Sequence, residues 1–312
     1  MVVGAGVVGL TSAVRLLDAG WSVTVVGERP VTSYVAAAVW FPTLAAPRSE
    51  VVRWGRETYL ELASQARAGV PGVILRDSVT LYREPPGRPW WTASIDDVRE
   101  APADLLPAGY GYGLRFTAPL AEMRLYLPWL EGQVRERGGV LEQRRVGSLA
   151  DAGHGADLVV HCAGLAAREL AGDLSVTPVR GQIVRVTNPG LTLSVRDEHH
   201  PGGRAYVHPR TDDCILGGTM EEGRWDTTPD PAVSAAIMER CLDLVPELRG
   251  VEVLEHLAGL RPVRPMVRVE AVPPTDEVPQ VIHNYGHGGS GITLAWGCAA
   301  DVASLAGPGR AA

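Results

Sequence analysis

The chain has 312 residues, of which 29 are Lys or Arg and 36 are Asp or Glu, so its formal net charge is −7. A chain of this length can bury a large core and is expected to form two lobes. The acidic balance argues against a nucleic-acid surface and against binding to anionic membranes. The apolar runs are too short to cross a bilayer, and glycines interrupt the first one, so neither a membrane span nor a secretory signal is predicted.

The cysteines are spread along the chain without the paired spacing of metal sites, at Cys162, Cys214, Cys241 and Cys298. This pattern favours reduced, buried thiols over a redox or metal-binding role. We therefore expect no bound metal. A cytoplasmic enzyme is the class that these features favour.

A glycine-rich turn, Gly4-Ala5-Gly6-Val7-Val8-Gly9, lies close to the start of the sequence. The apolar residues 1–3 precede it, and residues 10–19 follow with apolar side chains at helical spacing. The pattern therefore predicts a strand, a turn and a helix. A second apolar run over residues 21–26 predicts another strand, which completes a βαβ unit.

The three glycines of this turn suit a dinucleotide site. Gly4 permits the tight turn, Gly6 lets a pyrophosphate approach the backbone, and Gly9 lets the helix pack closely on the strand. Glu28 follows Gly9 by 19 residues, the spacing of an acid that binds an adenosine ribose. The turn does not say which dinucleotide binds, and a glycine turn in another α/β protein is the alternative interpretation.

Later elements are predicted from apolar periodicity. Helices are expected over 51–68, 123–137 and 231–244, and strands over 73–75, 79–82, 110–116, 157–164 and 251–256. Short apolar runs at 183–186, 205–207 and 214–216 indicate an antiparallel sheet. His161, inside an apolar strand, is expected to be a core residue. The order of these elements predicts a nucleotide lobe that is discontinuous in sequence.

Three further stretches are less regular. Residues 35–42 are mostly small and suit either a backbone pressed against a flat ring or a buried helical turn. Arg261 and Arg264 lie among prolines that can hold a guanidinium in one pose for a carboxylate. Residues 283–293 form a second glycine-rich turn whose N–H groups can bind an anion or a ring oxygen. Each of the last two alone is also compatible with an exposed loop.

Together, and in this order, these stretches resemble the FAD-dependent D-amino acid oxidase family, which includes D-aspartate oxidase. The likeness covers nearly the whole chain, at residues 4–9, 35–42, 110–113, 155–164, 180–183, 206–209, 261–265 and 283–298. The resemblance implies an α/β fold with a discontinuous Rossmann-like FAD-binding domain, at 1–45, 136–178 and 280–312. It also implies an α+β substrate-binding domain with a large antiparallel sheet, at 179–279 and part of 46–135.

The resemblance also implies roles for particular residues. Arg261 would pair with the substrate carboxylate, Tyr206 would donate its hydroxyl to the same group, and the Gly289 carbonyl would accept from the substrate amine. Non-covalent FAD would contact Gly4, Ala5, Gly6, Val7, Val8, Gly9, Glu28, Arg29, Ala36, Ala37, Ala38, Val39, Ala163, Gly288, Gly289, Ser290, Gly291, Ile292 and Thr293. A neutral D-amino acid would pass a hydride from Cα to flavin N5, yielding a 2-oxo acid, ammonia and, with dioxygen, hydrogen peroxide.

The sequence also departs from the family pattern. Gly202 stands where the vertebrate enzymes carry a lid tyrosine, so the lid is expected to be short or differently built. The preferred side chain and the formation of a homodimer stay open. A D-aspartate oxidase would meet a second carboxylate through His199, His200, Arg204 or Arg210. Wider alternatives are a glycine or sarcosine oxidase, a nicotinamide dehydrogenase and a non-catalytic nucleotide-binding protein.

Overall fold

The computed structural model describes residues 1–309. Its α-helices are α1 Val7–Asp18, α2 Arg48–Arg67, α3 Met123–Glu136, α4 Leu149–Gly153, α5 Ala167–Leu170, α6 Pro231–Leu244 and α7 Gly291–Ala306. Its strands are β1 Val2–Val3, β2 Thr24–Gly27, β3 Val73–Tyr82, β4 Arg99–Glu100, β5 Tyr112–Ala121, β6 Val140–Gln143, β7 Leu158–His161, β8 Thr177–Thr187, β9 Leu193–Asp197, β10 Ala205–Pro209, β11 Asp213–Gly217, β12 Glu221–Glu222, β13 Val253–Val272 and β14 Gln280–His287.

The described strands join in one 14-stranded sheet, in the order β4-β5-β3-β9-β10-β11-β8-β13-β14-β7-β1-β2-β6, with β12 paired to β8. Within the group β14, β7, β1, β2 and β6, adjacent strands pair in parallel. In the series β9-β10-β11-β8-β13-β14, each strand pairs antiparallel with the next. The long strand β13 therefore joins a parallel nucleotide-type part to an antiparallel part, as the fold class predicts. The exact domain boundaries stay a prediction.

The first βαβ unit occupies the centre of the parallel part. β1 pairs on one side with β2 and on the other with β7, and Val2 and Val3 are buried. Strand β1 ends at Gly4, where φ is +115°, a conformation that glycine adopts without strain. Helix α1 packs its buried face against α7 and α3. The predicted strand, turn and helix are confirmed, with the helix starting at Val7 rather than Leu10.

Several predicted strand boundaries are wrong: β5 runs to Ala121 and not to residue 116, β7 ends at His161, and two larger differences concern β3 and β13. Residues 73–75 and 79–82 belong to the single strand β3, since β5 pairs with it along its whole length. The strand predicted over 251–256 continues through the arginine–proline stretch to Val272, because β8 pairs with it as far as Val263. The pairing of β13 with β14 shifts register between Val263 and Arg268, which accommodates Pro265. Arg261 is thus held on a strand and not on an exposed loop.

Helix α6 covers the antiparallel part, where Ile237, Cys241 and Leu244 are buried against strands β8, β10 and β11. All four cysteines are buried and have free thiols, as the sequence predicts. Across residues 1–309, no helix combines the length and the apolar character of a membrane span.

A pair of buried histidines joins β7 to β14. His161 is fully buried, and its Nδ1 lies 3.2 Å from Nδ1 of His283. Burial lowers the pKa of His161 to about 3 and that of His283 to about 4. Both values lie below the ordinary histidine pKa of about 6.5, so both rings stay neutral in the folded protein at moderately acidic pH.

We expect this pair to make the protein acid-sensitive. Between pH of about 6.5 and about 4 the unfolded chain binds protons that the folded chain does not, so the free energy of unfolding falls as the pH falls. Each histidine contributes up to about 1.4 kcal/mol per pH unit in that window. The free energy of unfolding, measured with urea at several pH values, should depend less steeply on pH in His161→Gln than in the native protein. His154→Gln, at an exposed site, should keep the native slope; equal slopes for both variants would contradict the assignment.

Candidate active site

A cavity of about 460 Å³ extends from the glycine turn before α1 to the antiparallel part of the sheet. One end is lined by Gly4, Gly6 and Glu28, and the other by Tyr206 and Arg261. Residues from both ends of the chain and from its middle therefore meet around one space.

The glycine turn at the first end has no room for side chains at two positions. A Cβ on Gly4 would overlap the Cys162 carbonyl, and a Cβ on Gly9 would overlap the carbonyl oxygen of Gly4. Helix α1 begins at Val7, within this glycine-rich stretch, has no acidic residue in its first turn, and uses Gly6 as its N-cap. Its N-terminus is thus electropositive and open to an anion such as a pyrophosphate.

A second glycine corner connects β14 to α7. Gly288 has φ +54°, and a Cβ there would overlap the carbonyl oxygen of Leu44. Ser290 Oγ accepts from the Thr43 N–H at 2.7 Å and donates to the Thr43 carbonyl at 2.6 Å. Thr293 Oγ1 likewise accepts from the Phe41 N–H at 3.2 Å and donates to the Phe41 carbonyl at 3.1 Å. These two hydroxyls therefore fix the segment that carries Phe41 and Thr43.

Arg261 reaches the second end of the cavity from β13. Its Nη1 donates to the Thr219 carbonyl at 3.0 Å, and no described carboxylate forms an ion pair with it. A Cβ on Gly181, in the neighbouring strand β8, would overlap the guanidinium. Burial lowers the pKa of Arg261, against the opposing effects of Tyr206 and Glu198. The glycine makes room for a cation that is available to a carboxylate.

Tyr206 projects from β10 into the same end. It lies opposite Gly217 in the pairing of β10 with β11, and a Cβ on Gly217 would overlap the phenol ring. Burial raises the pKa of Tyr206, so its hydroxyl keeps its proton and can donate a hydrogen bond. Gly289 lies on the facing side, where an added Cβ would stand 3.5 Å from Cδ of Arg261. The structure thus brings Arg261, Tyr206 and Gly289 together.

Most residues that the sequence assigned to FAD also line the cavity: Gly4, Ala5, Gly6, Val7, Val8, Glu28, Ala36, Ala37, Ala38, Val39, Ala163, Gly288, Gly289, Gly291 and Ile292. Four assigned residues do not line it: Gly9, Arg29, Ser290 and Thr293. Arg29 forms an ion pair with Glu131 and bonds to the Tyr34 hydroxyl. Gly9 packs on Gly4, and the two hydroxyl residues hold the 41–43 segment.

The sequence did not single out several residues that line the substrate end, among them Arg196, Glu198 and His208. They lie on or next to β9 and β10, where polar side chains alternate with apolar ones over 193–196 and 205–208, and that alternation was the available signal. Of the four side chains considered for a second carboxylate, only Arg204 lines the cavity. Arg210 instead forms a buried ion pair with Asp213.

The cavity suits a long ligand with a phosphate group and a polar ring. The helix terminus at Val7 faces one end, and two lining residues, Asn284 and His287, have buried polar atoms without a partner among residues 1–309. These atoms are Oδ1 of the amide and Nε2 of the imidazole. Since buried polar groups are normally hydrogen-bonded, their position indicates a polar occupant, and FAD fits this donor and acceptor set.

Comparisons with known proteins agree with this interpretation. The family model described as FAD dependent oxidoreductase matches residues 1–305. A D-amino-acid oxidase of Rubrobacter xylanophilus is 51% identical, with 98% of this chain and 95% of that protein covered. The human D-aspartate oxidase is 37% identical, with coverages of 97% and 93%. The crystal structure of glycine oxidase from Geobacillus kaustophilus shares the fold, with a TM-score of 0.79, 19% identity and coverages of 97% and 93%.

The family match and the close relatives cover almost the entire chain, and the cavity supplies the donors that a flavin dinucleotide requires. The chain therefore belongs to the D-amino acid oxidase family of FAD-dependent oxidoreductases, and FAD is its cofactor.

Proposed function

We propose that this protein catalyses the oxidative deamination of neutral D-amino acids, with dioxygen as the electron acceptor and a 2-oxo acid, ammonia and hydrogen peroxide as products. The observation that carries the proposal is the Arg261 guanidinium, which lines the cavity without an ion-pair partner among the described residues. Its neighbour Tyr206 supplies a neutral donor to the same space. This pair suits the α-carboxylate of an amino acid.

Orientation is the main task of the chain in this reaction. When bound, FAD supplies the hydride acceptor, and the cofactor and not a side chain carries the redox chemistry. Arg261 and Tyr206 hold the carboxylate from one side, and the Gly289 carbonyl is placed to accept from the amine. With the carboxylate and the amine fixed, the side chain and the Cα–H exchange places between the two mirror forms, so one enantiomer presents its Cα–H to the acceptor.

The charges of the site also act on the substrate amine. Two guanidiniums besides Arg261 line the substrate end, those of Arg196 and Arg204. Arg204 is paired with Glu198, so Arg196 is the cation that disfavours the ammonium form of the bound substrate, because like charges lower the pKa of a cationic acid. The amine nitrogen is thereby held neutral, with a lone pair that assists loss of the Cα hydride.

A second candidate is the oxidation of acidic D-amino acids. It is favoured by Arg196, which is buried, lines the cavity and forms no ion pair with a described residue. A substrate with a second carboxylate would meet this charge. The neutral class ranks first because the same end of the cavity already contains the carboxylate of Glu198.

A peroxide assay with FAD present tests the proposal. Purified protein should oxidise D-valine and D-proline and leave their L-enantiomers unchanged, and D-aspartate and glycine should be poorer substrates. Equal peroxide from both enantiomers would contradict the roles of Arg261 and Tyr206. Faster turnover of D-aspartate would favour the second candidate, and faster turnover of glycine or sarcosine would point to a glycine-type oxidase.

A cytoplasmic location is also part of the proposal. It is supported by the four buried free thiols, which are typical of proteins kept in a reducing compartment. Fractionation of cells that express the tagged protein tests this point.

A further inference from the structure

The substrate end of the cavity contains an internal carboxylate among several cations. Glu198 follows strand β9, lines the cavity, and places Oε2 3.1 Å from Nη1 of Arg204. The same Arg204 nitrogen donates to Oγ1 of Thr43 at 3.3 Å. Arg204 therefore bridges the 41–43 segment and Glu198, and the carboxylate is held at the cavity wall.

Arg196 is the least compensated cation at this end. It is 5% exposed, and its guanidinium lies 3.8 Å from the centroid of the Phe41 ring. Its Nη2 donates to Nε2 of His208 at 3.3 Å, and Nδ1 of His208 lies 2.6 Å from Oγ of Ser194. The histidine accepts through Nε2 and is therefore neutral, with its proton on Nδ1. The surroundings fix the guanidinium in place without neutralising it.

The charge of Glu198 reaches both of the unpaired guanidiniums. Burial lowers the pKa of Arg196 to about 10, and the negative charge of Glu198 opposes this shift. Burial also lowers the pKa of Arg261, and the negative charge of Glu198 acts to raise it. The substrate end thus combines three guanidiniums, Arg196, Arg204 and Arg261, with one carboxylate.

The excess of guanidiniums over carboxylates at the substrate end affects which substrate side chains can bind. A neutral amino acid adds one carboxylate, which Arg261 is placed to bind. An acidic amino acid adds a second carboxylate, which is attracted to Arg196 but repelled by Glu198 in the same partly desolvated space. The protein carboxylate competes with the side-chain carboxylate for the remaining positive charge.

We propose that Glu198 is a specificity-determining residue, whose carboxylate supplies the negative charge that an acidic side chain would otherwise bring and so biases the enzyme towards neutral D-amino acids. This inference rests on the proposed function. It concerns the substrate side chain and leaves the orientation at Cα to Arg261, Tyr206 and Gly289.

Glu198→Gln tests the inference, because it removes the charge and keeps the side-chain shape. The informative quantity is the ratio of kcat/KM for D-aspartate over D-asparagine, and for D-glutamate over D-glutamine, since each pair differs mainly in charge. We expect both ratios to rise by at least about tenfold, chiefly through KM. Arg204→Met should lower both ratios, because it leaves Glu198 without its direct partner.

Glu239→Gln is the matched control, because Glu239 is an exposed residue of α6 outside the cavity. It should leave the ratios at their native values. Ratios that change by less than twofold in folded, yellow Glu198→Gln protein would overturn the proposal. A native enzyme that oxidises no D-amino acid would instead contradict the proposed function, and the role of Glu198 would then be tested by binding.

The binding test uses the holoenzyme and the change in flavin absorbance. Succinate and its monoamide, succinamate, are titrated into the native protein and the Glu198→Gln variant. The preference for succinate over succinamate should rise by about tenfold in the variant. An unchanged preference would refute the inference whether or not turnover is measurable. If Glu198→Gln does not fold, Glu198→Ala is titrated in the same way with the same two outcomes.

Discussion

Replacing Arg261 with methionine is expected to lower kcat/KM for D-valine by about a hundredfold to ten-thousandfold. The guanidinium is free to make two charge-assisted hydrogen bonds to the α-carboxylate, each worth about 1.5–3 kcal/mol, and about 1.4 kcal/mol corresponds to a tenfold change. Methionine keeps part of the aliphatic packing and removes every donor. Steady-state peroxide production by the folded, yellow variant measures the effect.

Two other variants define how specific this loss is. Tyr206→Phe keeps the ring that packs on Gly217 and removes one neutral donor, so its loss should stay within about tenfold. Arg249→Met, at an exposed site that does not line the cavity, should behave as the native enzyme. If Arg261→Met retained native kcat/KM at full flavin content, Arg261 would not be the residue that binds the carboxylate.

The local signals of the sequence predicted some elements closely. Helix α6 begins at Pro231 and ends at Leu244, the predicted bounds. Asp230 precedes it and its Oδ1 accepts from the backbone N–H groups of Ala232 and Val233. A capping acid followed by proline is a signal that needs no distant partner, which is why this boundary was readable from the residues alone.

Other features depend on partners far away in the chain. The arginine–proline stretch around Arg261 reads as a stiff loop by itself, but β8 pairs with it and makes it part of a strand. The need for glycine at position 181 is likewise visible only when the Arg261 guanidinium is seen beside it. Such constraints come from tertiary packing, and a single sequence carries no direct record of them.

The candidate site shows the same division. The glycine corners were predictable because their spacing and their position before α1 and α7 are sequence properties. Arg196 was harder to single out, since the alternation in its strand does not show that its guanidinium stacks on the Phe41 ring at the cavity wall. Side chains that set substrate preference are therefore the part of the site for which the structure adds most.

The two glycine corners come from opposite ends of the chain and meet because α1 packs against α7 and both follow strands of the parallel part of the sheet. The first residues of both helices, Val7 and Gly291, line the same cavity. At these corners, backbone atoms lie so close to Gly9 and Gly288 that an added methyl group would overlap them. A single substitution at a corner should consequently act on the cofactor before it acts on the rest of the fold.

Gly9→Ala is the sharpest test of that demand. An added Cβ would overlap the Gly4 carbonyl oxygen and would lie 3.4 Å from Cβ of Cys162; because of the overlap, α1 and the turn before it must separate. The N–H groups at the helix start would then lose the position that suits a pyrophosphate. We expect the variant to purify with little or no flavin and to bind added FAD at least about a hundredfold more weakly, as measured by quenching of flavin fluorescence.

Gly132→Ala provides the matched control, because Gly132 lies in α3 and an added Cβ would meet no atom within 4 Å. Alanine at a helix position of this kind should stabilise the fold by up to about 1 kcal/mol and leave flavin content unchanged. Comparison of the two variants separates a general effect of the methyl group from its effect at the turn. Native flavin affinity in Gly9→Ala would show that the close contact between α1 and the turn is not what forms the pyrophosphate site.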